Sequence, residues 1–501
     1  MKMIWVWLLV LCASLTAAEG MWTLDQLLEL NLEEQGLEVL TTELWNEKDG
    51  GISKAVISIG GCTASFVSAN GLIATNQHCA YGALQRNSTA DNNVLENGFN
   101  AKTLQDELPT FGTEAYVLQS FKDVTDEVLS AVKKDMTPAE RAKAIDKKIM
   151  EMEENVEAAD STIRARVAEM YSGQSYVLFK HLHIKDVRLV YAPPKDVGKF
   201  GGDIDNFEWP RHTGDWAFLR AYVGPDGIPA EPSEDNVPYQ PEKWLEVSTD
   251  GYQEGDLSMV IGYPGGTSRY RTSYSIKYLQ EYYYPWRLDL LERAIALIEE
   301  RTAEDEDADI KLESLYSGLN NSLKNSQGQY DGFMRTNLYD LKVELENEFR
   351  EKMENSPELQ KKYGDVLPAI KELYADYETY QPKRYLVLWM SYVNDVYSAV
   401  NTLYRYATEK EKPAAERRPG YTEKDMQRTA KRWEYGYRNY DQEFDKRILA
   451  LFFELAHELP DGMKIEAIEN ISGDKTGKAQ KQADRDFIDR LYAETEFTEL
   501  K

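Results

Sequence analysis

Histidine occurs only at positions 78, 181, 183, 212 and 457, so chemistry that needs an imidazole has few sites to choose from. His78 lies in the run Gly71-Leu72-Ile73-Ala74-Thr75-Asn76-Gln77-His78-Cys79, where an Asn70-Gly71 turn leads into a short apolar strand. Cys62 lies 17 positions before Cys79, across the same hairpin. A disulfide between them would pin the segment that carries the imidazole. A general base must be pinned, because it works only within hydrogen-bond reach of the proton it takes. Such a base also needs an acid behind it. Asp215, in Arg211-His212-Thr213-Gly214-Asp215-Trp216-Ala217-Phe218-Leu219-Arg220, opens a hydrophobic strand from which its carboxylate can orient Nδ1–H of His78 and stabilise the imidazolium. Asp203 and Asp205 are rival acids; they rank lower because they precede Asn206 in a Gly-rich loop that reads as a substrate-facing turn.

These side chains need a frame. Residues 21–47 carry leucines at helical spacing, enough for one or two short amphipathic helices. Short β-rich runs follow at 55–59, 65–67, 72–75 and 116–121, with turns at Gly60-Gly61 and Ala69-Asn70-Gly71. Residues 125–171 are highly charged and predict a helical excursion, with Thr137 as N-cap and Pro138 at the first helical position. Strand texture returns at 175–180, 187–191, 217–223 and 257–262. Beyond Arg271 the strand signals stop, and windows such as 282–303, 338–353 and 384–407 read as long helices whose many Tyr and Trp residues form a packed core. Residues 408–420 read as an exposed loop.

The chain has 501 residues, 42% of them hydrophobic and 29% charged, enough for two or three cored domains. A formal charge of −28 repels phosphate backbones and argues against a nucleic-acid partner. The N-terminus has Lys2, an apolar run over residues 4–15 and the small-residue site Thr16-Ala17-Ala18, which together predict a signal peptide cleaved after Ala18. The run is too short to span a bilayer, and the context before Cys12 fits a lipoprotein poorly. Cleavage leaves Cys62 and Cys79, an even pair in an exported protein, which predicts one disulfide. A metal reading of His181-x-His183 with Asp186 nearby competes with two packed or solvent-facing strand histidines; the second is preferred, and no metal is predicted.

The Thr75-Asn76-Gln77-His78-Cys79 element resembles the histidine signature of chymotrypsin-like peptidases. Further motifs make the resemblance specific: Gly61-Cys62-Thr63, Asn97-Gly98-Phe99 with Glu107-Leu108-Pro109, Asp186-Val187-Arg188-Leu189-Val190, Gly198-Lys199-Phe200-Gly201-Gly202-Asp203, Asp205-Asn206-Phe207-Glu208-Trp209-Pro210-Arg211-His212-Thr213-Gly214-Asp215 and Gly262-Tyr263-Pro264-Gly265. Together they resemble the bacterial dipeptidyl-peptidase 7 and 11 family of serine exopeptidases, over most of residues 50–275. The resemblance implies an α+β fold, a chymotrypsin-like double β-barrel with a large inserted α-helical cap. It places the signal peptide at 1–18, the peptidase domain at 19–272 with the helical excursion near 125–171, and the cap at 273–501. It implies His78 as general base, Asp215 as its orienting acid, and Asn206 and Phe207 at the site for the substrate's free α-amino group. Phe207 stands where the family usually has Trp, and Gln77 where it often has His. No cofactor is implied. The implied partners are oligopeptides with a free N-terminus and a second copy of the chain, in the periplasm or at the cell surface of a bacterium.

A chymotrypsin-type nucleophile needs a Gly-x-Ser-Gly turn, and none follows Asp215. Gly265-Gly266-Thr267-Ser268, Tyr171-Ser172-Gly173 and Ile471-Ser472-Gly473-Asp474 lack the flanking glycines and strands. In the family the serine follows the helical domain, so the expectation is a second barrel that begins around residues 257–263 and never closes, in a fragment without its catalytic serine. The alternative is an inactive, secreted, peptide-binding pseudo-peptidase.

Overall fold

The computed structural model describes residues 21–494 apart from 90, 267, 269, 414–416 and 419. The predicted signal peptide at 1–18 lies outside the described residues, as does Thr267 of one candidate serine turn.

The first half of the chain is built on one antiparallel sheet of eleven strands. In chain order these are β1 (Val56–Ser58), β2 (Thr63–Phe66), β3 (Leu72–Thr75), β4 (Phe99–Asn100), β5 (Leu108–Pro109), β6 (Ala115–Asp123), β7 (Ile163–Met170), β8 (Ser175–Ile184), β9 (Asp186–Ala192), β10 (Ala217–Val223) and β11 (Val237–Pro238). The path runs β4-β9-β10-β3-β2-β1-β6-β8-β7, with β5 on β9 and β11 on β10. Only Lys185 separates β8 from β9, although the two stand near opposite ends of the path, so the sheet must curl back on itself. Inside the curl Ile57, Phe66, Ile73, Leu189 and Leu219 are buried. β2 and β3 form the predicted hairpin. Gly71 has φ +67°, and a Cβ there would lie 2.7 Å from Tyr239 O, so the turn admits no side chain.

The predicted helix start at Thr137 is present: its hydroxyl accepts from Glu140 N–H, the Glu140 side chain reaches back to Thr137 N–H, and helix Pro138–Ala159 follows. The excursion is not helical throughout, because residues 163–170 form β7. Ala165 and Val167 alternate inward there, and β8 supplies the ladder that a charged helix reading overlooked. From Ser273 onward every described regular element is helical. Tyr284–Glu304, Glu306–Thr336, Gln381–Val393, Gln442–Glu458 and Gly477–Glu494 share a core around Leu291, Ile298, Ile448 and Phe452. The window 384–407 is two helices, broken at Asn394. No helix among the described residues is long and apolar enough to cross a membrane.

The molecule is thus mixed α and β, a large antiparallel sheet followed by many helices. No second barrel appears among the described residues. Residues 257–262 are not a strand: among the described residues no neighbour offers them a ladder, and Val260 is fully exposed.

Candidate active site

The register of β3 against β10 brings the two predicted chemical residues together. Ala217 pairs with Thr75 and Phe218 with Ala74 in antiparallel sense, so Asp215 and His78 leave the sheet at the same end, although they are 137 positions apart in sequence. Past Thr75 the chain turns into helix Gln77–Arg86, with His78 as its second residue. Ala80 and Leu84 of that helix are buried in the sheet core, and the Cys62–Cys79 disulfide, with a Cα–Cα distance of 6.2 Å, ties its first turn to the segment before β2.

His78 Nδ1 lies 2.7 Å from Asp215 Oδ2, and His78 N–H donates to Asp215 Oδ1 at 3.0 Å. Asn76 Nδ2 donates to Asp215 O and Oδ2 at 3.1 and 3.2 Å. Burial pushes the Asp215 carboxyl up, but the bonds from the His78 ring and backbone, the imidazole's charge and the Asn76 amide outweigh it and hold it below the usual carboxylate value. Asp215 is therefore an acceptor at neutral pH. The His78 side chain is 64% exposed, and among the described residues no hydroxyl or thiol hydrogen-bonds its Nε2. The arrangement is that of an imidazole oriented at Nδ1 by a carboxylate.

The Gly-rich loop lies beside this helix. Gln77 is buried against Gly198, where an added Cβ would come within 2.6 Å of the Gln77 side chain, so the loop's close approach requires glycine. Gly214 N–H donates to Val197 O at 2.8 Å and Thr213 Oγ1 to Gly198 O at 2.9 Å, which closes the base of the loop just before Asp215. Asp203 pairs with Lys199 at 3.4 Å, and no hydrogen bond links Asp203 or Asp205 to His78. A cavity of about 580 Å³ separates this loop from helix Glu306–Thr336, lined by Lys195, Lys199, Phe200, Asp203, Glu313 and Tyr316.

Asn206 is held from two sides. Arg211 Nη1 donates to its Oδ1 at 2.9 Å, and its Nδ2 donates to Asn321 Oδ1 at 2.9 Å. Phe207 next to it has φ +59° and an exposed ring. Asn321 belongs to the helical half and was not found from the sequence: it sits in an ordinary helical run, and no spacing rule links positions 115 apart. The same helix also braces the His78 helix, through Tyr81 Oη donating to Glu313 Oε1 at 2.9 Å and Gln85 Nε2 donating to Ile310 and Lys311 carbonyls at 2.6 Å.

His181, His183 and Asp186 do not converge on a metal. His183 Nε2 is 2.7 Å from Glu114 and its ring stacks on Tyr116, Asp186 pairs with Arg188, and burial pushes the His181 imidazole down to about 4. Among the described residues the one group with metal-like spacing is Cys62, His78 and Cys79, whose sulfurs are joined in the disulfide and offer no thiolate.

Comparison with known proteins finds a family, relatives and solved structures that this chain resembles. The sequence profile of Peptidase S46 matches residues 17–501. The Asp/Glu-specific dipeptidyl-peptidase of Shewanella putrefaciens is 38% identical over 415 residues, 82% of this chain and 55% of that protein. Dipeptidyl-peptidase 7 of Capnocytophaga gingivalis is 36% identical over 364 residues, 72% of this chain and 50% of that protein. The crystal structure of Porphyromonas endodontalis DPP11 in complex with the dipeptide Arg-Glu is similar with a TM-score of 0.76 at 26% identity, covering 96% of this chain and 68% of that one. The chain spans about half the length of the curated relatives it matches. On this evidence the chain belongs to the peptidase S46 family.

Proposed function

We propose that residues 1–501 carry the general-base half of an exported serine-type dipeptidyl-peptidase, which removes dipeptides from the free N-terminus of oligopeptides. The observation that carries this reading is the 2.7 Å contact of His78 Nδ1 with an ionised Asp215, with Nε2 left free. In the reaction Nε2 takes the proton of a serine hydroxyl as the oxygen attacks the second peptide carbonyl, and Asp215 stabilises the imidazolium. The imidazolium then protonates the leaving amine, and water hydrolyses the acyl-enzyme by the same base. The serine and its oxyanion hole come from residues outside 1–501.

Asn206 and Asn321 support the exopeptidase character. An α-ammonium needs acceptors, and these two side-chain amides supply carbonyl oxygens on facing elements, one from the loop and one from the helical cap that begins at Ser273. The Phe207 ring supplies an apolar wall beside them. The role needs no cofactor, and it fits a periplasmic or cell-surface protein that pairs with a second copy.

The test uses the purified 501-residue chain with a dipeptidyl coumarin and with a fluorescent oligopeptide carrying either a free or an acetylated N-terminus. Binding of the free form, weakened by acetylation and by Asn206→Ala, together with no coumarin release, is the expected result. Release abolished by His78→Ala would place the nucleophile inside the chain, and indifference to acetylation would remove the amine site.

A further inference from the structure

An Asn at a helix N-cap ordinarily turns its side-chain oxygen back onto the backbone N–H of the second or third helical residue. Asn394 does so ahead of helix Asp395–Lys410, where its Oδ1 accepts from Tyr397 N–H at 2.7 Å. Asn76 holds the same position ahead of helix Gln77–Arg86, with extended backbone at φ −79° and ψ 151°, yet its side chain makes no capping bond. The N–H of His78, which a cap oxygen would satisfy, donates to Asp215 Oδ1 instead. Asp215 caps the helix from the segment just ahead of β10, a favourable place for a carboxylate at the positive end of the helix dipole. That leaves the Asn76 amide free for another task.

Its Nδ2 donates to Asp215 at two points, the backbone carbonyl at 3.1 Å and Oδ2 at 3.2 Å. Oδ2 is also the oxygen that holds His78 Nδ1. The carboxylate is thus fixed at both oxygens, with the Asn76 amide clamping Oδ2 to the chain that bears it. We infer that Asn76 is a positioning residue for the His78–Asp215 pair: it sets the carboxylate, the carboxylate sets the imidazole, and Asn76 itself touches no reacting atom. The inference rests on the reading of His78 and Asp215 as base and orienting acid. Asn76 is exposed, so its removal opens no hole in the core.

The test is the imidazole Nδ1 proton of His78 in the ¹⁵N-histidine-labelled 501-residue chain, a downfield proton resonance assigned by its loss in His78→Ala. In Asn76→Ala its exchange with water is expected to quicken about tenfold or more. In Asn76→Asp, which sets a carboxylate against a carboxylate, the resonance disappears. The melting temperature of Asn76→Ala stays within about 2 °C of the parent, because no cap is lost. Unchanged exchange in Asn76→Ala with a melting temperature lowered by several degrees would make Asn76 an ordinary cap and overturn the inference. A parent chain with no such resonance, indistinguishable from Asp215→Asn, would instead overturn the His78–Asp215 reading beneath it.

Discussion

Asp215 in the sheet half and Asp445 in the helical half do the same local job with opposite electrostatic results. Each caps a helix from another element. Asp215 accepts the N–H of His78, and Asp445 accepts the N–H groups of Asp395 and Val396 at 2.7 and 3.2 Å. Each has an Asn at the N-cap whose Nδ2 donates to the aspartate's backbone carbonyl, Asn76 at 3.1 Å and Asn394 at 2.7 Å. Asp215 is half-buried beside an imidazole that can become positive, and its carboxyl is held low. Asp445 is 2% exposed, and burial, joined by the nearby Asp395 carboxyl, pushes it up to about 7 against the bonds from Tyr492 and the backbone. Hydrogen-bond geometry alone therefore does not decide whether an acid is charged. Desolvation and the sign of the nearest titratable neighbour decide it, and only the Asp215 setting suits an acid that must steady an imidazolium.

The sharpest test of this contrast is kinetic. In a form of the protein that releases dipeptides, Asp215→Asn is expected to lower turnover about 10⁴-fold, whereas Asp445→Asn leaves turnover unchanged. Comparable losses from both substitutions would mean that the two sites are not functionally distinct.

A smaller effect concerns pH. Folded Asp445 keeps its proton to about 7, whereas an unfolded Asp releases it near about 3.9. The folded state binds the extra proton between those values, so stability falls as pH rises through that window, by on the order of 4 kcal/mol at most. Asp215 has the opposite sign: its folded carboxyl is lowered, so its contribution is present above the ordinary carboxylate range and is lost on acidification through the folded value. Urea unfolding followed by helical circular dichroism at pH 4.5 and 7.5 should register the Asp445 loss, and Asp445→Asn should flatten it.

Smaller again is the staple. Replacing both Cys62 and Cys79 by Ser removes a cross-link over 17 positions, worth about 3 kcal/mol, and the loss should fall on helix Gln77–Arg86. Amide hydrogen exchange should quicken there and not in helix Asp395–Lys410. The mildest change is Tyr492→Phe, which deletes the 2.6 Å donor to Asp445. It should cost about 1–2 kcal/mol and raise the Asp445 carboxyl further, seen as a shift of the pH-dependent window to higher pH.

The sequence was most legible where the signal was local. Residues 72–75 and 217–223 were bounded as strands by alternation and by Gly and Asp, and the structure has β3 and β10 at those positions. Thr137-Pro138 with Glu140 spelled out its own helix start. Residues 163–170 were misread because a charged strand shows its period only through two small buried residues, Ala165 and Val167. Residues 257–262 were misread for the opposite reason, since an apolar run resembles a strand whether or not a neighbour exists to pair with it. The contact of His78 with Asp215 and the Cys62–Cys79 disulfide were legible from the motif around them, whereas the contacts of Asn206 with Asn321 and of Asn76 with Asp215 were not.

What the amino-acid order determined by itself is the strands at 72–75 and 217–223, the helix start at Thr137 and the chemical types near them, among them His78, Asp215 and the asparagines at 76 and 394. Only the tertiary structure decided what those groups do. Asn394 caps its own helix while Asn76 grips an aspartate, and Asp215 is ionised while Asp445 holds its proton to about pH 7. The physical reason is range. Propensity and periodicity act over a few residues, whereas the partner that accepts a hydrogen bond, and the water that is or is not excluded around it, come from segments tens to more than a hundred positions away.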